Sequence, residues 1–239
     1  MTDAAAAGSA PGSAPGSAAG VAGRLVLIAG ATSASGEAVA RALVAAGARV
    51  LAVGTREEAL EALRASVPGV ETRACDLSDP DAVVELAMRI HLESGHLDGL
   101  IHLVGGWRGG GGIAGQSDED WEFLERGFRT LRNTTRVFYD DLVASPAGRL
   151  AIVSSTAVEK PYPGGANYAA AKAAADAWVR AIAQGLAKEA PQSAATVFVV
   201  QTLQGLEAQL GEEVVALWAA AASAVNGRRV PLDPARMDG

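Results

Sequence analysis

The stretch "RLVLIAGATSASGEAVARALVAAG", residues 24–47, decides the fold. It opens on an apolar run of strand length, 24–30, that ends in Gly30. From Gly36 the pattern turns helical, "GEAVARALVAAG". Between the two lie Thr32, Ser33 and Ser35, which add hydroxyl donors to the turn. Glycine at a strand-to-helix turn lets the backbone bend sharply and approach a ligand phosphate, while the helix N-terminus offers unpaired N–H groups. An ordinary strand-to-helix turn is the alternative reading, because a pair of glycines has little specificity and Ala34 sits where a third would stand.

The same alternation continues outward. "ARVLAV" (48–53) precedes "REEALEALRASV", whose Leu60 and Leu63 and acidic start suit an amphipathic helix. "VETRAC" (70–75) precedes a helix opened by Pro80. Further strand candidates are "LDGLIHLV" (97–104), "GRLAIVSS" (148–155), "AATVFVV" (194–200) and "RRVPL" (228–232). Continuous apolar strands alternating with helices predict an α/β fold, a doubly wound parallel sheet of about seven strands with helices on both faces. Ligands bind such sheets outside the carboxyl ends of the strands. The unusual residues fall there: Gly30, Cys75–Asp76, Gly105–Gly106 and Ser154–Ser155 each follow a strand. Residues 23–239 form the expected single domain. The Ala/Gly/Ser/Pro tract of residues 1–22 has no apolar period and is expected to be a disordered tail.

Composition removes several classes. A net charge of −7 without a Lys/Arg block argues against nucleic acid or an anionic membrane as partner. The tail lacks the basic start and leucine-rich core of a signal peptide, and "ALWAAAASAV" is too short to span a bilayer, so a cytoplasmic protein is expected. Cys75 is the lone cysteine, which excludes a disulfide framework, and it reads as a buried structural thiol. His91, His96 and His102 show no ligand spacing backed by carboxylates, so no metal is expected.

The second strand ends in "AVGTREE", where Arg56 comes before any carboxylate. NAD-preferring sites carry an acid there for the ribose 2′-OH, whereas a cation accommodates a 2′-phosphate. The expected cofactor is therefore NADP(H) rather than NAD(H), with Arg56 as a solvated helix start the alternative. The stretch "SSTAVEKPYPGGANYAAAK" (154–172) sets Tyr168 and Lys172 four apart on one helix face, with Ser155 at a strand end thirteen residues before the tyrosine. An ammonium beside a phenol stabilises the phenolate and lowers its pKa, which suits a general acid/base. In the glycine-rich loop "GGWRGGGGIAG" (105–115), expected to be mobile, Trp107 can stack on a planar substrate and Arg108 can meet an anion. Packing of Trp107 and solvation of Arg108 are the plain alternatives.

These motifs together resemble the short-chain dehydrogenase/reductases of the compact single-domain branch. The similarity runs over most of residues 23–232 through "AGATSASG", "CDLSD", "LIHLVGG", "IVSS" with "NYAAAK", and "NGRRVPL". The resemblance implies reversible carbonyl reduction, with Tyr168 as proton donor, Lys172 holding the nicotinamide ribose and Ser155 orienting the carbonyl. It implies that Asp76 contacts the adenine, and it adds Leu77, Val104, Gly105 and Gly106 to Gly30, Thr32, Ser33, Ser35, Gly36 and Arg56 as cofactor-binding residues. It also implies a small-molecule carbonyl or alcohol substrate and a homodimer or homotetramer, commonly through the fourth and fifth helices. Departures are Ala34, the "HLVG" in place of an asparagine-rich turn, and Phe128 near the position of a relay asparagine, a role not transferred to Asn133. "QTLQG" after strand six implies a reduced lid. A non-catalytic dinucleotide sensor or scaffold is one alternative; a pterin or quinone reductase is another, since Gly-Gly-Trp resembles the dihydropteridine reductases.

Overall fold

The computed structural model describes residues 20–233; residues 1–19 of the expected tail, and 234–239, lie outside that range. Val21 is already packed in the core, so the folded unit starts by that residue. Seven strands form one sheet: β1 (Leu25–Ala29), β2 (Arg49–Gly54), β3 (Val70–Ala74), β4 (Gly99–His102), β5 (Arg149–Ser155), β6 (Ala194–Val200) and β7 (Arg229–Pro231). Their order is β3-β2-β1-β4-β5-β6-β7 and every pairing is parallel. Helices cover both faces: α1 (Ala34–Ala45), α2 (Glu57–Ser66), α3 (Pro80–Glu93), α4 (Asp118–Ala144), α5 (Ala166–Glu189), α6 (Glu207–Ala216) and the short α7 (Ala222–Val225).

Coverage of both faces explains why β1, β4 and β6 read as apolar runs, whereas the edge strands β3 and β7 carry exposed or half-buried polar residues. In β1, Leu25, Leu27 and Ala29 face one core layer, with Leu51, Leu100 and Leu150 from neighbouring strands. Val26 and Ile28 face the other, with Ile101, Ala151, Phe198 and Trp218. β1 pairs with both β2 and β4, so the chain winds outward in opposite directions from it. That reversal opens a crevice between the loops after β1 and β4, where doubly wound sheets bind ligands.

Two glycines make the first turn possible. Gly30 has φ +79°, and a Cβ there would stand 2.8 Å from the Val104 nitrogen. A Cβ on Gly36 would collide with the Ala31 carbonyl oxygen. The helix begins at Ala34 rather than Gly36 because the Ser33 hydroxyl caps it, accepting from the Gly36 N–H at 3.1 Å.

Candidate active site

β5 delivers Ser155 at its carboxyl end, where the Ser155 hydroxyl accepts from the Ala157 N–H at 3.1 Å and turns the chain into a 3-10 segment. A second 3-10 turn, residues 163–165, leads into α5, which carries Tyr168 and Lys172 one turn apart. Ser155, Tyr168 and Lys172 line a single cavity of about 670 Å³. Gly105, Gly106 and Trp107 close one side of it and Phe128 of α4 another, with Leu203 of "QTLQG" at the edge. The Lys172 ammonium donates to the Val153 carbonyl at 2.8 Å and lies 5.9 Å from the centre of the Tyr168 ring.

A second cavity, about 530 Å³, holds Gly30, Thr32, Thr55, Asp76 and Leu77. Ser33 and Ser35 line the first cavity, and Val104 lines both, so the two adjoin at the crevice beside β1. Gly36 is buried under the turn as a packing residue. Arg56 is exposed at the start of α2, outside both linings but next to Thr55, which lines the second. Arg108 is also outside them: its guanidinium lies 4.0 Å above the Phe123 ring, while Trp107 lines the cavity and stays half exposed. Asp76 accepts from Ser78 and from Arg126 of α4, the latter at 2.7 Å, and the Ser78 hydroxyl is the main reason its pKa is lowered.

The short chain dehydrogenase model matches residues 24–206 of this sequence. The chain belongs to the short-chain dehydrogenase family. Enzymes of this family are NAD(P)-binding oxidoreductases. The 2,3-dihydro-2,3-dihydroxybenzoate dehydrogenase of Bacillus subtilis is 33% identical over 133 residues, 55% of this chain and 51% of that protein. The match thus spans about half the length of that relative. Among solved structures, the serine dehydrogenase of Escherichia coli is 25% identical with a TM-score of 0.80, covering 88% of this chain and 98% of that one. A metagenomic short-chain oxidoreductase, crystallised in complex with NADP, is 24% identical with a TM-score of 0.77 and covers 89% and 99%.

The electrostatics of this short-chain dehydrogenase correct one expectation. Burial raises the Tyr168 pKa above its ordinary value of 10; the Ser155 hydroxyl opposes this and Tyr162 adds to it. The lowering expected from the spacing of Tyr168 and Lys172 is not the outcome: burial is the largest influence on the phenol, and the ammonium is aimed at a β5 carbonyl with the ring centre 5.9 Å away. Burial pulls the Lys172 pKa from 10.5 down to about 8, with the carboxylate of Asp176, one turn on, working the other way. Asp176 is buried and 2.9 Å from Arg229 of β7. His102 is buried at the cavity floor and held down to about 3 by burial and by Lys172, so it is neutral. The Thr130 hydroxyl donates to the Gly127 carbonyl, so the His102 Nε2–H donates to Thr130 at 2.9 Å.

Residues without a motif complete the site. Gln116 donates through its amide to the Gly110 and Gly164 carbonyls and accepts from the Asn167 N–H at 3.0 Å. It therefore ties the glycine loop, expected to be mobile, to the start of α5. Asn133 donates to the Leu77 and Ser78 carbonyls, which fixes the loop after β3. Trp178 donates to Thr135 of α4 and packs edge-on against Phe128. Cys75 is half buried on the second cavity, and burial raises its pKa. Among the described residues no helix is long and apolar enough to cross a membrane.

Proposed function

We propose that this short-chain dehydrogenase transfers hydride reversibly between NADP(H) and a small carbonyl or alcohol substrate. The observation that carries the reading is the convergence of Ser155, Tyr168 and Lys172 on one cavity that adjoins a second at the glycine turn. The residues fit a dinucleotide. Gly30 lines the second cavity without a side chain, the Ala34 and Ser35 N–H groups in the first turn of α1 are available to an anion, and Thr55, Asp76 and Leu77 suit the adenosine end. Ala34 is exposed, so its methyl group crowds the turn without filling it. Preference for the 2′-phosphate rests on Arg56 and on the lack of a carboxylate at the end of β2.

Bound NADPH supplies the hydride. As hydride reaches the carbonyl carbon, the Tyr168 phenol gives its proton to the oxygen, and the reverse reaction returns it. The raised phenol pKa keeps that proton in place at neutral pH. Ser155 orients the carbonyl oxygen, and Lys172 holds the ribose. Trp107 on the rim suits a flat, ring-shaped substrate, and the name of the Bacillus subtilis relative points the same way. The reading includes a cytoplasmic homodimer or homotetramer, a state that light scattering on the purified chain measures.

Turnover of a panel of cyclic alcohols, ketones, quinones and pterins tests the proposal. Tyr168→Phe lowers kcat about 10²–10⁴-fold while calorimetric affinity for NADPH changes little. NADPH binds more tightly than NADH. Residual activity of Tyr168→Phe at the wild-type level refutes the assignment, and NADPH binding without turnover of any substrate supports a sensor instead.

A further inference from the structure

We infer that His91, His96 and Asp141 form a second site, a binding site for a first-row divalent transition metal ion, at the opposite end of the sheet from the cavities. His91 is in the last turn of α3, His96 in the loop before β4, and Asp141 near the end of α4. The two histidines are five residues apart and Asp141 is 45 residues beyond the second, and the fold brings all three together at the amino ends of the strands. The structure thereby supplies the carboxylate that sequence spacing did not reveal. His91 Nε2 is 2.9 Å from one Asp141 oxygen and His96 Nδ1 is 2.9 Å from the other. The candidate ligand atoms all lie within 4.8 Å of one another.

Two ligands about 2.1 Å from a metal and at right angles stand about 3 Å apart, so the observed spacing needs only small movements to admit an ion. A bidentate carboxylate with a ring nitrogen beside each oxygen meets that demand. Each imidazole binds as the neutral tautomer, its proton on the other ring nitrogen. The carboxylate is already oriented: Asp141 is buried, and the Leu97 N–H donates to it at 3.0 Å. The His91 ring is braced edge-on against Phe138, with its centroid 4.5 Å from that of His96. His96 is 71% exposed, which leaves the solvent side open for waters to complete the coordination. Two imidazoles and one carboxylate select zinc, nickel, cobalt or copper over magnesium or calcium. The bound ion would tie α3 and α4 to the entry of β4.

The test uses the tag-free full chain, stripped with chelator and titrated with zinc, nickel or cobalt chloride, with magnesium chloride as control. Transition metals bind one per chain, and zinc at about a hundredfold over its Kd raises Tm by roughly 5–10 °C. Magnesium does neither. His96→Ala, a change at an exposed side chain, weakens zinc binding at least about tenfold and removes the Tm rise, and Asp141→Asn does the same where it folds. Cys75→Ala leaves binding intact. Wild-type protein that shows neither heat nor a Tm rise, or His96→Ala protein that binds as the wild type does, overturns the site and leaves a hydrogen-bonded His–Asp–His cluster. Loss of binding in Cys75→Ala overturns it as well.

Discussion

At the scale of single residues, the convergence of Ser155, Tyr168 and Lys172 on one cavity was legible from type and spacing, but their pKa shifts were not. Spacing set the ammonium near the phenol; burial and the choice of hydrogen-bond partner decide what each group's pKa becomes. Lys172 gives the clearest consequence. Its pKa is about 8 in the folded chain and 10.5 when exposed, so between those values the unfolded chain binds more protons. The stability of the fold therefore rises with pH across that window, and the contribution is lost as pH falls through about 8. Below that point the folded protein carries the full cost of the buried ammonium. Lys172→Met removes this slope, and urea midpoints measured from pH 7 to 10.5 rise less steeply for the variant than for the wild type. Parallel curves would show that the ammonium is solvated. His102 behaves differently: with a pKa of about 3 it stays neutral at working pH, and it serves as a hydrogen-bond donor to Thr130 rather than a proton carrier.

At the scale of elements, strand positions were legible because the apolar runs are buried on both faces and bounded by glycine, serine or aspartate. "AATVFVV" is β6 without a residue's shift. "LDGLIHLV" was read too long: only Gly99–His102 pair as β4, since the chain leaves the ladder to form the cavity wall. Loop order was harder to read, because glycine content says nothing of the side chain that holds the loop. Gln116 does this for residues 105–115, and its oxygen also caps the Asn167 N–H, a first-turn donor that Gly165 has no side chain to satisfy. Gln116→Ala frees both the loop and the helix start that carries Tyr168. The expected result is faster hydrogen exchange across 105–116 and a KM raised several-fold with a smaller change in kcat. Unchanged exchange in that segment would mean that the loop is held by the Gly110 N–H to Gly164 carbonyl bond alone.

At the scale of the whole molecule, sheet order turns scattered motifs into one track. Reversal of winding at β1 sets Thr55 and Asp76 on one side of the crevice, and Ser155 and Tyr168 on the other, with Val104 between. The motifs at strand ends foretold this, since all parallel strands end on one edge. The His91–His96–Asp141 cluster was hidden for the converse reason: it lies at the amino ends, where the contributing segments follow no common pattern. If the two cavities bind one dinucleotide, its halves must report on different strands. The fragment 2′,5′-ADP then slows hydrogen exchange at residues 54–55 and 76–77 but not at 104–107 or 201–203, which NADPH protects as well. Ser33 and Ser35, beside the shared Val104, are protected by both, because the phosphates cross at the N-terminus of α1. Protection by NADPH confined to the fragment's segments would show that the nicotinamide does not reach Tyr168, and would remove the basis for hydride transfer in the larger cavity.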